Sequence, residues 1–327
     1  MGSQLAFHTE PRQPPTNIPI GKGAPVALRE GPMSAEAPVR KKLVEYEPTV
    51  TEVRMETHDT ATLFLDFKGA PLEYKAGQFL NIDPHQFRAL APLAAFLQEQ
   101  KGRREMHRSY SLSSAPHEPL VAITVKDEPY ITGLTKYPAL IAPYLVNAPL
   151  TGNRIRVMGF MGPYTLPEDV EQRTGHIFHV AAGSGGVPNF SIIKDALHRG
   201  LKLRHTLLCS NKTWGDMLFR EPLAALEAAH PDKLRVVHCL TRETDESRYG
   251  PGVRKGRVNQ ALLEELIPEP DRKSCLVYAC GPAITPWERR KAMETRTPAT
   301  PRFMETVLGH LHTLGIEDKR IKREVFG

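Results

Sequence analysis

A glycine-rich turn between an apolar run and a helical run most constrains what this chain can fold into. The apolar run is Ile177 to Ala182, the turn reads Gly183-Ser184-Gly185-Gly186-Val187-Pro188, and a helix is predicted from Asn189. Glycines let a backbone approach a phosphate closely, and the N-terminus of the following helix offers unpaired N–H groups. Because strand and helix flank it, the turn predicts a pyrophosphate-binding loop, with an ordinary glycine turn as the alternative.

A regular alternation of strand and helix continues beyond this turn. Strands are predicted at Leu203 to Cys209, Leu234 to Leu240 and Cys275 to Ala279, and helices begin near Glu221 and Val258 and span residues 303–314. The charged, proline-rich stretch at residues 282–303 is predicted to be an inserted excursion. Such alternation predicts a parallel sheet with helices on both faces.

The first half of the chain has a different rhythm, in which turn residues separate short β-type runs. Strands are predicted at Thr49 to Met55, Thr62 to Phe67, Phe79 to Ile82, Ser109 to Leu112, Leu120 to Val125 and Arg154 to Met158. This pattern is typical of a small antiparallel barrel. Apolar residues at helical spacing, followed by a basic stretch, predict a helical insertion at about residues 86–107 that caps one end of the barrel.

The two rhythms divide the chain into parts. Residues 1–45 are a Pro/Gly-rich N-terminal extension, residues 46–172 an antiparallel β-barrel domain, and residues 173–327 an α/β domain with a parallel sheet. A chain of 327 residues is long enough to bury two cores of ordinary size. The sequence therefore predicts a two-domain protein.

Composition excludes several classes of function. The formal net charge is +6, but no run of Lys and Arg interleaved with aromatics predicts nucleic-acid binding. No run is long enough to span a bilayer, and the first residues lack a secretory signal, so a cytoplasmic protein is predicted. The four cysteines are scattered, without the spacing of zinc or iron–sulfur ligands, so no metal site is predicted.

Three further segments carry candidate chemistry. Arg108-Ser109-Tyr110-Ser111 lies on a barrel strand, where it can present a cation, an aromatic face and a hydroxyl, with ordinary strand surface as the alternative. Cys280-Gly281-Pro282 follows a later strand, at the edge where open parallel sheets bind ligands. A buried small hydrophobe is the alternative for Cys280. The chain closes on Glu324-Val325-Phe326-Gly327.

In this order and spacing, the four segments resemble the ferredoxin-NADP reductase family, without a fused ferredoxin domain. The resemblance covers roughly residues 48–327. It implies a flavin-binding barrel followed by a Rossmann-like NAD(P)-binding domain, with FAD favoured over FMN and NADPH or NADH as hydride donor. Two departures are visible: Gly327 follows the aromatic residue that ends plant-type chains, and the flavin pyrophosphate segment is split between Gly133-Leu134-Thr135 and Pro143-Tyr144-Leu145.

The resemblance also implies roles for individual residues. Ser111 is expected at the flavin edge, Cys280 in the nicotinamide pocket, and Glu324 as a group that tunes or protonates the reduced flavin. The expected flavin-binding residues are Arg108, Ser109, Tyr110, Ser111, Thr124, Val125, Lys126, Gly133, Thr135, Tyr144, Leu145 and Phe326. The expected NAD(P)-binding residues are Gly183, Ser184, Gly185, Pro188, Asn211, Lys212, Arg242, Cys280, Gly281 and Pro282. Lys212 and Arg242 are expected to pair with a 2′-phosphate, with solvated surface charges as the alternative.

The expected function is a flavin-dependent NAD(P)H oxidoreductase, which passes hydride to bound FAD and then single electrons to a separate acceptor. That acceptor is expected to be ferredoxin or another iron–sulfur or haem carrier, docked on Lys101, Arg103 and Arg104. A solvated helix end is the alternative for these three cations. Two other functions stay open: a reductase of a small molecule such as free flavin, a quinone or oxygen, and a non-catalytic flavin- and nucleotide-binding redox subunit.

Overall fold

A computed structural model describes residues 44–132 and 135–326. Gly133, one of the expected flavin-binding residues, lies outside the described residues. So does the predicted N-terminal extension, except for its last two residues, which begin strand β1 (Val44–Tyr46).

Two antiparallel sheets form the first domain. Its elements are β1, β2 (Thr49–Thr57), β3 (Thr60–Asp66), β4 (Phe79–Ile82), α1 (Ala91–Lys101), β5 (Arg108–Ser111), β6 (Val121–Lys126), α2 (Ala142–Asn147), β7 (Val157–Met161) and α3 (Val170–Arg173). The sheet orders are β1-β7-β4-β5 and β2-β3-β6. Bridges between Leu112 and Ile123 and between Thr49 and Arg154 join the sheets at both edges. The result is a closed barrel around a core of buried aliphatic side chains.

Helix α1 occupies the middle of the predicted helical insertion. Pro92 lies in its first turn, where a missing N–H is tolerated, and Gly102 ends it in the left-handed conformation with φ 64°. Leu97 is fully buried and Ala94 nearly so, and both belong to the barrel core. The insertion is therefore part of the barrel's packing.

A six-stranded parallel sheet forms the second domain, in the order β11-β10-β9-β8-β12-β13. Its elements are β8 (His176–Ala182), α4 (Gly186–His198), β9 (Arg204–Asn211), α5 (Arg220–Ala229), β10 (Leu234–Leu240), β11 (Val253–Lys255), α6 (Gln260–Leu266), α7 (Glu269–Arg272), β12 (Leu276–Pro282), α8 (Pro286–Thr295), α9 (Phe303–Thr313) and β13 (Ile321–Phe326). Val180 packs with α6 and α9, whereas the next residue, Ala181, packs with α4 and α5. Helices thus cover both faces, as the alternation predicts.

Several predicted boundaries differ from the structure; the strand predicted at Arg154 to Met158, for example, is observed as β7, three residues later. Helix α4 begins at Gly186, three residues before the predicted start at Asn189, because Pro188 is compatible with the first turn of a helix. The predicted excursion at residues 282–303 contains the regular helix α8. A capping box between Thr285 and Glu288 starts α8, although none of its residues is buried.

Helix α4 also fastens the two domains together. The Ser191 hydroxyl donates a 2.6 Å hydrogen bond to the carbonyl oxygen of Ser114 in the barrel, and Lys194 Nζ lies 2.5 Å from Glu118 Oε2. On another side of the junction, the Tyr278 hydroxyl donates to the carbonyl oxygen of Thr165. The barrel is therefore held against the helix that follows the glycine turn.

Candidate functional site

A pocket of about 290 Å³ lies where the barrel meets the first turn of α4. We call it the β5–β6 pocket, because residues of β5 and β6 form much of its lining together with residues 138–142. The expected residues that line it are Arg108, Ser109, Tyr110, Ser111, Thr124, Val125, Lys126, Ser184 and Phe326. The structure thus brings most of the expected flavin-binding residues to one cavity, together with part of the glycine turn and the end of β13.

The expected catalytic residues meet at the junction of the two domains. The Ser111 hydroxyl, at the end of β5, donates a 2.8 Å hydrogen bond to Glu324 Oε1 on β13. Glu324 pairs in register with Cys280 on the parallel neighbour β12. Burial raises the pKa of Glu324, and the hydrogen bond from Ser111 only partly offsets this effect. The carboxyl group therefore keeps a proton to a higher pH than an exposed glutamate.

The Cys280 thiol is fully buried beside this pair. Burial, reinforced by the nearby Glu324 carboxylate, raises the pKa of Cys280 well above its ordinary value, so the thiol stays neutral. Its side chain packs among Tyr164, Tyr278 and other buried groups, and Phe326 packs against the same cluster. Cys280 therefore lies behind the described residues that line the β5–β6 pocket and is not one of them.

The expected flavin-binding cations Arg108 and Lys126, and the expected docking charge Lys101, are paired with carboxylates. Arg108 and Lys101 both contact Glu105, each with a shortest N to O distance of 2.6 Å. Burial raises the pKa of Glu105, but hydrogen bonds from Lys101 and Arg108 outweigh it and leave that pKa below its ordinary value. Lys126 is likewise paired with Asp59, at 2.7 Å. A ligand phosphate would have to share these cations with the protein's own acids.

The glycine turn is pressed directly against β12. A Cβ added at Gly185 would lie 2.2 Å from the carbonyl oxygen of Cys280, and only glycine avoids this clash. Gly183 has φ 53°, in the left-handed region that favours glycine. Ser184 lines the β5–β6 pocket, and Pro188 lies in the first turn of α4. The sequence therefore needs glycine at two positions of this turn for two different reasons.

A buried hydrogen-bond network holds the turn from below. Asn189 Nδ2 donates to the carbonyl oxygen of Gly185, so Asn189 Oδ1 is left to accept from the Tyr164 hydroxyl and from His179 Nδ1. His179 Nε2 can then only accept, and it lies 3.0 Å from His205 Nδ1. Burial lowers the pKa of His179 to about 4, which agrees with a neutral ring. This network fixes the turn to the sheet and to the end of the barrel domain.

The split pyrophosphate segment does not converge on the pocket. Leu145 is fully buried in the barrel core, and the Tyr144 ring packs on Phe87 with centroids 4.9 Å apart. Thr135 forms hydrogen bonds with Ile131. In the described part of the chain, residues at the start of α2 line the β5–β6 pocket instead. Thr135, Tyr144 and Leu145 therefore lie outside the lining of this pocket.

The residues expected at the adenosine end lie together at the carboxyl edge of the sheet. Asn211 ends β9, and backbone hydrogen bonds join Thr241 to Asn211 and Arg242 to Lys212. The side chains of Lys212 and Arg242 are exposed, whereas Asn211 is buried. The two cations therefore lie on adjacent loops, at the edge where open parallel sheets bind nucleotides.

One group of metal-ligand type exists among the described residues. His58, Asp59 and Asp216 place one candidate ligand atom each within 4.8 Å of one another. Asp59 is already paired with Lys126, and Asp216 accepts hydrogen bonds from the backbone and hydroxyl of Thr213. These carboxylates have structural roles that explain their placement.

Comparisons with known proteins agree with this architecture. The family described as oxidoreductase NAD-binding domain matches residues 179–285. The NADPH oxidoreductase of Mycobacterium tuberculosis is 28% identical over 243 residues, which are 73% of this chain and 53% of that protein. An NADH-cytochrome b5 reductase-like protein of Emericella nidulans is 29% identical over 180 residues, 55% of this chain and 35% of that protein. The chain thus spans well under two thirds of the length of these relatives.

Solved structures match most of the chain. The flavohem-like FAD/NAD-binding domain of nitric oxide dioxygenase from Vibrio cholerae has a TM-score of 0.63 at 22% identity, over 86% of this chain and 98% of that one. Ferredoxin-NADP+ reductase from Plasmodium falciparum has a TM-score of 0.56 at 14% identity, over 86% of this chain and 96% of that one. The chain therefore has the two-domain fold of the ferredoxin-NADP reductases. The predicted resemblance and the predicted two-domain fold class are confirmed.

Within this reductase fold, the sequence reasoning missed the residues that support the glycine turn. Asn189, Tyr164 and His179 are buried polar groups without an obvious motif. One signal was available, because His179 interrupts an otherwise apolar strand that is buried on both faces. Among residues 44–132 and 135–326, no helix is both long and apolar enough to cross a bilayer.

Proposed function

We propose that this chain is a flavin-dependent NAD(P)H oxidoreductase that moves hydride from NAD(P)H to FAD and passes electrons singly to a separate acceptor. The observation that carries the proposal is the hydrogen bond between Ser111 and Glu324, which joins the expected flavin-binding strand to the last strand of the nucleotide domain. Relatives named NADPH oxidoreductase and NADH-cytochrome b5 reductase support the reaction class.

The β5–β6 pocket suits the ring system of a flavin. It offers the Tyr110 ring, the Ser111 hydroxyl and the Phe326 ring around one cavity. Burial raises the pKa of Tyr110, so its phenol stays neutral and its ring presents an apolar face. Bound FAD would supply the ability to accept two electrons as hydride and to release them one at a time.

The protein's own contribution is to place groups and to hold a proton. The Ser111 proton points at Glu324, so a ring atom beside Ser111 would compete with that carboxylate for the hydroxyl. The raised pKa of Glu324 lets its carboxyl hold a proton close to this hydroxyl. Hydride transfer depends chiefly on fixed geometry, and the buried contacts around Ser111 and Glu324 provide it.

The nucleotide is proposed to lie across the glycine turn, with NADPH preferred. The N-terminus of α4, with the positive end of the helix dipole, would face the pyrophosphate. Lys212 and Arg242 would meet a 2′-phosphate. Glu243, the nearby acid that could instead bind a ribose, already accepts hydrogen bonds from the amides of Trp214, Thr244 and Asp245. This occupation of Glu243 supports the preference for NADPH.

The acceptor is proposed to be a haem or iron–sulfur protein. Relatives are named as cytochrome b5 reductases, and one structural neighbour is named as the ferredoxin reductase in carbazole 1,9a-dioxygenase. Lys101, an expected docking charge, is largely buried against Glu105 and is therefore unavailable, whereas Arg103 and Arg104 are exposed. Arg289 and Arg290 on the exposed helix α8 form a second basic segment, after β12.

The first experiment is a visible spectrum of the purified protein under nitrogen, before and after NADPH and then NADH. We expect flavin absorption bands that bleach with NADPH faster than with NADH. Ser111→Ala should slow bleaching while retaining flavin, and Ser247→Ala, in an exposed turn, is the matched control. A colourless protein that neither FAD nor FMN reconstitutes would contradict the proposed function.

A pair of charge reversals tests the acceptor. We expect Arg103→Glu with Arg104→Glu, or Arg289→Glu with Arg290→Glu, to lower kcat/KM for an acidic cytochrome at low salt by about tenfold. Bleaching by NADPH should be unchanged in both double variants. Equal rates of cytochrome reduction in both double variants and the parent would exclude these surfaces as docking sites.

A further inference from the structure

A second and larger pocket, of about 800 Å³, lies between the barrel and the α/β domain. We call it the β3–α4 pocket, because β2, β3 and β6 form its barrel side and α4 and the start of α5 its other side. Its volume is in the range of small-molecule sites. Among the described residues, its lining contains none of those expected to bind flavin or NAD(P).

The lining is rich in aromatic and sulfur-containing side chains. Phe190 and Phe219 stack with centroids 4.2 Å apart and planes 16° from parallel. Phe64 faces the pocket from β3, and Met55 and Met217 add polarisable surface. Such a lining favours a flat aromatic ligand.

Charge on the described lining is balanced. Its cations are Arg54, Lys194 and Arg220, and its anions are Glu56, Glu118 and Glu221. Lys194 is held by Glu118 and by the Phe190 ring, and Arg54 by Glu52. A ligand with several phosphates would find little uncompensated positive charge here, so a neutral ligand fits better than a dinucleotide.

One buried hydroxyl in this lining has no partner. Ser113 is 3% exposed, and its Oγ forms no hydrogen bond within the described residues. Buried polar groups are nearly always satisfied, by protein or by a bound molecule. A ligand oxygen in the β3–α4 pocket would satisfy this hydroxyl.

The β3–α4 pocket is next to the β5–β6 pocket. Thr62 lines the former and Thr124 the latter, and their hydroxyls are 2.8 Å apart. Helix α4 also contributes to both, with Val187 in one and Phe190 in the other. The Thr62–Thr124 pair therefore separates the two cavities at this point. Electrons can cross a layer of this thickness.

We propose that the β3–α4 pocket binds a neutral quinone that accepts electrons from the flavin; the proposal rests on the proposed function. NAD(P)H loses hydride, and the flavin passes on its two electrons. The two carbonyl oxygens of the quinone each gain a proton. One proton balances the hydrogen that NAD(P)H gave up as hydride, and the other comes from solvent. The overall reaction is NAD(P)H + H⁺ + quinone → NAD(P)⁺ + hydroquinone.

Binding is tested with menadione, a neutral naphthoquinone, on the full-length oxidised protein. The sequence has two tryptophans, and Trp214 adjoins Gly215 and stacks under Arg220, both of which line the pocket. In a Trp287→Phe background, we expect saturable quenching of Trp214 fluorescence. Ser113→Ala should raise the Kd about fivefold, the value of one hydrogen bond, and leave stability unchanged or higher.

Phe64→Leu should also raise the Kd, whereas Ser274→Ala, at an exposed serine, is the matched control. Unsaturable quenching, an equal Kd in all variants, or displacement of menadione by 2′-phospho-AMP would overturn the proposal. Bleaching of the flavin by NAD(P)H without quinone tests the proposed function separately. If bleaching occurs but the steady-state KM for menadione is the same in Ser113→Ala as in Ser274→Ala, the quinone site is wrong and the reductase assignment stands.

Discussion

Replacing Gly185 with alanine tests whether the glycine turn must press against β12. The added Cβ would lie 2.2 Å from the carbonyl oxygen of Cys280 and 2.6 Å from its carbonyl carbon. Both are backbone atoms of a buried strand, so no side chain can rotate away. The turn and β12 would have to separate by about 1 Å to restore ordinary contact.

The expected cost follows from this displacement. Forcing extra volume into a packed interior costs about 1–3 kcal/mol, and we expect the free energy of unfolding to fall by that amount. Asn189 ties the carbonyl of Gly185 to the buried network, so the turn cannot shift without disturbing those hydrogen bonds. A misplacement of about 1 Å in a positioning element can cost up to about 100-fold in rate. We therefore expect flavin reduction by NAD(P)H to slow by about 10- to 100-fold.

Gly186→Ala is the matched control one residue away. A Cβ there meets no atom within 4 Å, and φ is −67°, as in a helix. Urea unfolding and rapid-mixing bleaching should show Gly186→Ala close to the parent and Gly185→Ala impaired in both. If both variants unfold at the same urea concentration and bleach at the same rate, the close approach to Cys280 has no functional importance.

Three further predictions concern the expected site residues. Burial raises the pKa of Glu324, so the parent loses stability as pH rises from the unfolded-state pKa of 4.5 through the higher folded-state pKa. Glu324→Gln should therefore become more stable relative to the parent between acidic and neutral pH, and its flavin should bleach more slowly. A difference in urea unfolding that does not change with pH would refute this. Cys280→Ala should retain flavin but slow bleaching by NAD(P)H about tenfold, whereas lower stability with an unchanged rate would leave Cys280 a packing residue. Replacing Lys212 and Arg242 with serine should raise KM for NADPH about 10- to 100-fold and leave KM for NADH nearly unchanged; equal losses would make both cations surface charges.

The fold could be predicted because each domain has a local sequence pattern that is typical of it. The turn at residues 183–188 needs both a preceding apolar strand and a following helix, and both are visible in the sequence. The segment Arg108–Ser111 forms a strand, as predicted, and it lines the β5–β6 pocket. Local pattern was sufficient where the chemistry lies on contiguous residues.

Long-range contacts escaped prediction because nothing local encodes them. Lys126 pairs with Asp59, 67 residues away, only because β6 lies beside β3. Leu145 enters the barrel core because α2 packs against β3 and β6. The pairing of Ser111 with Glu324 spans most of the chain, and spacing alone could not show which atoms meet.

Helix α4 explains how the barrel and the α/β domain are held together around the candidate site. Its first turn carries the glycine loop, its second turn places Ser191 against the barrel, and its third places Lys194 beside Glu118. Any movement of the barrel relative to the sheet would therefore pull on the helix that holds the loop. Hydride transfer needs donor and acceptor atoms at a fixed separation of about 3–3.5 Å, and a rotation about a flexible linker would destroy that separation. Because α4 both carries the glycine turn and is hydrogen-bonded to the barrel, we expect folding to set this separation before a nucleotide binds.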